Sequence, residues 1–130
     1  AVKSGVIQAI SSHHQPHERD AKLAPFGATE PGISSVELLL PLALTLVDDG
    51  LLDLPTLLAR LGLGPAAAMR LAAGKLDVGS AADLVLFDLS TSSVAGERWH
   101  SKGQNCPFLG HSLPGAVRYT LVDGHISHNG

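Results

Sequence analysis

Apolar and polar positions along the chain change rhythm twice. Val6-Ile7-Gln8-Ala9-Ile10 is a short, nearly continuous apolar run and predicts a buried strand over residues 6–10. Ser11 to Ser35 is polar and marked by Pro16, Pro25, Gly27, Pro31 and Gly32, which predicts a long loop. Loops of this length in compact domains usually carry function. Ile33-Ser34-Ser35-Val36-Glu37-Leu38 then predicts a helix start. Ser34 and Glu37 have the spacing of a capping box, and Ile33 and Leu38 stand at hydrophobic-staple positions. The helix that follows, to about Asp48, is apolar nearly all round and is expected to be buried.

Asp49-Gly50 ends that helix. Asp53 or Leu54 opens a second through Leu61, with Pro55 in its first turn and Gly62 as its stop. A third is expected from Pro65 to about Ala72, closed by Gly74. Beyond it the period shifts. Leu84-Val85-Leu86-Phe87 predicts a buried strand flanked by Asp83 and Asp88, and Ser90 to Gly115 reads as loop. Ala116 to Val122 alternates, with Val117, Tyr119 and Leu121 on one face. Asp123-Gly124 is a type I′ hairpin signal, with His125-Ile126-Ser127 as the return strand. Helices first and strands later suggest two regions meeting near Ala73, residues 1–73 and 74–130.

Composition narrows the function classes. The chain has 130 residues, 45% hydrophobic and 16% charged, which suits one ordinary core and argues against disorder. A net charge of −3 without any Lys/Arg cluster gives no footprint for nucleic acid. The longest apolar stretch, Val36 to Val47, is broken by Glu37, Pro41 and Thr45 and is too short to cross a membrane. The single cysteine, Cys106, allows no intrachain disulfide, and a reducing cytoplasm is the expected setting.

Candidate chemistry concentrates in Ser12-His13-His14-Gln15-Pro16-His17. Three histidines within five residues could hold a metal, although Pro16 and the loop context disfavour a helical ligand face. Inherited remnants of an active site and a plain polar loop are the other readings of the same residues. Asp83, Asp88, Asn105 and Gly124 are expected to serve structure. His100, His111, His125 and His128 are scattered and are not expected to be ligands.

Six segments in order resemble the dihydroorotase branch of the cyclic amidohydrolases. They are His14-Gln15-Pro16-His17 with Lys22; Ala24-Pro25-Phe26-Gly27 followed by Val36 to Leu42; Gly64-Pro65-Ala66; Gly74 to Gly79 leading into Ala82 to Asp88; Ser101 to Phe108; and Val122-Asp123-Gly124. The resemblance implies an α/β fold: the C-terminal part of a (β/α)8 barrel plus strands of a small β-sandwich. Residues 6–10 would then be the last barrel strand. It also implies that the family's metal ligands lie upstream, so that this stretch binds no metal itself and zinc belongs to the parent protein if that protein is active.

The family pattern at the end of that strand is Asp-His-x-Pro-His, and here the aspartate position is His13. By resemblance, that aspartate touches the metal and shuttles the proton to the leaving nitrogen. The residue matching His17 contacts the substrate carboxylate, and Pro25-Phe26-Gly27 lines the mouth, with loop packing as the other reading of that trio. His14, His17, Pro25 and Gly27 are therefore the expected substrate-binding remnant, with no catalytic residue in the chain. The substitution at position 13, together with Gln15 and Thr29 to Ser34, resembles a non-catalytic branch. In it a dihydroorotase-like subunit scaffolds the catalytic subunit of aspartate carbamoyltransferase. The expected partners are that transferase and the rest of the parent barrel, in an oligomer. An active zinc dihydroorotase is the alternative.

Overall fold

The computed structural model describes residues 1–130. A three-residue 3-10 turn, Val36–Leu38, leads directly into helix α1, Leu39–Asp48. Helix α2 spans Leu54–Leu61 and α3 spans Leu63–Met69. Three antiparallel strands follow, β1 Leu84–Val94, β2 Ser112–Val122 and β3 His125–Asn129, in the order β1-β2-β3.

The helices form where local signals place them. Asp53 Oδ1 accepts the Thr56 amide at 2.8 Å and Pro55 sits in the first turn, so α2 starts as the sequence predicts. Helix α1 carries its apolar character inward, with Pro41, Ala43 and Leu44 buried. Helix α3 begins two residues earlier than expected and ends sooner. Arg70 takes a left-handed conformation (φ 56°) and the Leu71 amide returns to the Ala66 carbonyl at 2.8 Å, which closes the helix before Gly74.

Three expectations need correction. Residues 6–10 form no strand. The Ile7 amide donates to the Ala1 carbonyl at 3.3 Å and the Ile10 amide to the Arg60 carbonyl at 3.0 Å, and neither bond belongs to a ladder. The Ser34/Glu37 capping box does not form either. Ser34 Oγ donates to Asn105 Oδ1 at 2.9 Å, and Glu37 accepts the amides of His100 and Ser101 at 2.7–3.1 Å. Finally, Ser90 to Gly115 is not all loop. Strand β1 runs on to Val94 and β2 begins at Ser112, joined across register shifts between Leu86 and Phe87 and between Asp88 and Ser92. Gly115, at φ 80° beside the second irregularity, brings the sheet so near α1 that a Cβ there would meet Leu44 Cδ1 at 2.6 Å.

The hairpin between β2 and β3 forms as predicted, with Asp123 at φ 49° and Gly124 at φ 78°. Asp83 Oδ1 accepts the Asp123 amide at 2.8 Å and so pins the turn to the start of β1.

Two small cores flank α1. Ala43, Leu44, Leu52 and Leu57 form one, with Ile10 and Phe87 packed against it. Leu38, Ala95 and Leu113 form the other, covered by Trp99 and Phe108. Packing thus crosses the junction near residue 73 through Phe87 and Leu113. The sheet itself is open. Val85, Leu86, Leu89, Val122 and Ile126 are exposed, so the strand expected to be buried has both faces half in solvent.

Candidate functional site

The loop from Ser11 to Ser35 folds back on its own base. The Gln15 amide donates to the Ile33 carbonyl at 2.9 Å, and Ser35 Oγ donates to the Ser12 carbonyl at 2.8 Å. Asn105 locks this base from the other side of the chain. Its Oδ1 accepts the His17 amide (2.8 Å) and Ser34 Oγ, while its Nδ2 donates to the carbonyls of Gln15 (2.9 Å) and Gly32 (3.3 Å). Asn105 is 5% exposed, and all four of these bonds satisfy groups that burial would otherwise strand. Gly103 permits this approach, because a Cβ there would meet Pro16 Cβ and Ser34 Oγ at 2.4 Å.

Above the clamped base lies a cavity of about 550 Å³. Its lining includes His13, Lys22, Phe26, Thr29, Glu30 and Gly32. Lys22 Nζ donates to the Glu30 carbonyl, which ties the two arms of the loop. Phe26 is 97% exposed at the rim. His13 stands at φ 44°, a left-handed conformation that costs a non-glycine residue energy and that Asp, Asn and His tolerate better than most.

The predicted remnant divides. His13 lines the cavity. His14 does not; its Nδ1 accepts the amides of Ser35 (3.0 Å) and Val36 (3.1 Å) at the helix start. His17 is held through its backbone, by Asn105 at the amide and by the Gln104 amide at its carbonyl (2.9 Å). Pro25 and Gly27 are exposed and flank Phe26, which is the residue of that trio at the cavity. Phe26 belongs to the mouth that the resemblance implies; Thr29 and Glu30 were not singled out as site residues by the sequence. Nothing local marks them, since they reach His13 only through closure of the loop.

No three His, Cys, Asp or Glu side chains come together at metal-ligand spacing. Catalytic zinc takes three protein ligands and an open position. The residues of this chain therefore do not form a zinc site by themselves, and the functional groups at the cavity are an imidazole, an ammonium and a carboxylate. A second cavity, about 530 Å³, lies between α1 and the sheet, with Glu37, Arg98, His100, Arg118 and His128 on its wall.

The model of the Amidohydrolase family matches residues 1–127. The chain belongs to the amidohydrolase family. It is 83% identical over 128 residues to a dihydroorotase-like protein of Pseudomonas putida, covering 98% of this chain and 30% of that protein. It is 39% identical over 125 residues to a dihydroorotase of Geotalea daltonii, covering 95% of this chain and 29% of the other. Among solved structures, a dihydropyrimidinase from Brevibacillus agri superposes with a TM-score of 0.89 at 25% identity, over 99% of this chain and 30% of that one. The chain thus spans about 30% of the length of the relatives it matches. Its fold class is α/β, a part of the amidohydrolase barrel architecture with its accompanying strands. No helix is long and apolar enough to cross a membrane.

Proposed function

We propose that this chain is the C-terminal portion of a dihydroorotase-like protein that does not hydrolyse dihydroorotate and instead scaffolds aspartate carbamoyltransferase in the cytoplasm. In this reading residues 1–73 complete a barrel and residues 74–130 belong to a β-sandwich. The observation that carries it is His13, which lines the cavity at the position where the family pattern has aspartate. Proton transfer in ring-amide hydrolysis needs a carboxylate that is anionic beside a cationic metal. A neutral imidazole supplies no such charge and reaches differently. A general acid–base group contributes roughly 10²–10⁴-fold, so its replacement removes most of the useful rate. The 83% identity to a protein called dihydroorotase-like supports the same branch.

The test uses the full-length protein. We expect no zinc-stimulated hydrolysis of dihydroorotate and co-purification with the transferase. Robust zinc-dependent hydrolysis would overturn the proposal.

The 39% identity to a dihydroorotase, across 95% of the chain, favours a second reading. In it the parent is an active zinc dihydroorotase with His13 as a working substitute. An intact upstream His-x-His pair and metal lysine would support that reading, and their absence would end it.

A further inference from the structure

We infer that His14 is a positioning residue: by capping the helix that follows the loop, it fixes the backbone that presents His13 to the cavity. The inference rests on the reading that His13 fills the family's acid–base position. His14 Nδ1 accepts two adjacent backbone amides, Ser35 at 3.0 Å and Val36 at 3.1 Å. A ring nitrogen that accepts N–H groups carries no proton, so the ring proton sits on Nε2.

The amides at a helix start have no acceptor within the helix. The nearby hydroxyls do not supply one. Ser34 Oγ is committed to Asn105 Oδ1 and Ser35 Oγ to the Ser12 carbonyl. The acceptor comes instead from His14, 21 residues before Ser35.

The consequence falls on His13. Ser12 is held through its carbonyl, His14 through its ring and Gln15 through its amide to the Ile33 carbonyl. His13 lies between these anchors at φ 44°. A left-handed conformation at a non-glycine residue persists where its surroundings over-determine it. Without the His14 anchor, the backbone after His13 is free as far as Gln15, and the left-handed turn that places His13 at the cavity loses one of its supports.

Three variants of the full-length protein test this. His14→Asn places Oδ1 where Nδ1 stands, His14→Gln moves the acceptor one bond outward, and His14→Ala removes it. Two readouts are taken: hydrogen exchange at the Ser35 and Val36 amides, and the ring ¹⁵N resonances of His13, assigned by their loss in His13→Asp. In the Ala and Gln variants we expect exchange at both amides to rise by about tenfold or more, with displaced His13 resonances; the Asn variant keeps both near native. Unchanged protection in the Ala variant overturns the inference. So does an Asn variant as unprotected as Ala. Lost protection with unmoved His13 resonances also overturns it, leaving His14 as a helix cap without hold on the site. Transferase co-purification is scored separately on the native protein, so its failure would remove the scaffold reading and leave these results standing.

Discussion

At the scale of the residue, backbone geometry explains how an aspartate position can hold a histidine. Asp and His are both among the residues that accept left-handed φ, and position 13 is at 44°. We predict that His13→Asp in the full-length protein folds normally, with unfolding stability within about 0.5 kcal/mol of native. A substantial gain in a zinc-supplemented assay would show that the rest of the site is intact. Asn105 should behave differently. Asn105→Ala strips four hydrogen bonds from a 5% exposed position, and buried Ser34 Oγ and the half-buried backbone groups of Gln15, His17 and Gly32 lose that partner. We expect a loss of about 3 kcal/mol in urea unfolding. Asp88 gives a pH-dependent prediction. The Ser90 hydroxyl and amide, then Arg118, hold its carboxyl at about 2, below the ordinary 3.8. Its contribution to stability is present above pH 4 and fades as pH falls toward 2. Asp88→Asn should flatten that part of a stability–pH curve by lowering stability slightly above pH 4, with little change near pH 2.

Whole elements were legible where their signals are local. Helix α2 is capped by Asp53 and contains Pro55 because capping and the fixed proline φ act within four residues. The β2–β3 hairpin forms because Asp123 and Gly124 both accept positive φ. The capping box failed for a different reason. Ser34 and Glu37 have the right spacing, yet Asn105 and the amides of His100 and Ser101 compete for them from far along the chain. The same distance hid the role of His14, and nothing near Thr29 or Glu30 marks them as cavity residues. Strand β1 outran its prediction because pairing resumes after the second register shift, with Ser92, Ser93 and Val94 opposite Pro114, Leu113 and Ser112. Leu57, fully buried where α2 meets α1, carries the helical core. Leu57→Ala should cost about 2–4 kcal/mol by thermal or urea unfolding.

The molecule as a whole exposes more surface than its size warrants. Its accessible area is 8742 Å² at 13.4 kDa, against about 6,500 Å² for a compact monomer of that mass. The surplus of roughly 2,200 Å² is the size of a substantial protein interface. Apolar side chains exposed on the open sheet include Val85, Leu86, Leu89 and Ile126. We propose that the remainder of the parent barrel and its partners cover this surface. Residues 1–130 expressed alone should bind a hydrophobic dye or self-associate, and full-length protein should not. Whether the parent protein holds the transferase decides between scaffold and enzyme. The direct measurement is the light-scattering mass of purified aspartate carbamoyltransferase with and without the full-length protein. A single heavier complex containing both chains is the predicted result. Two species eluting at their separate masses, at micromolar concentrations of each, would contradict it.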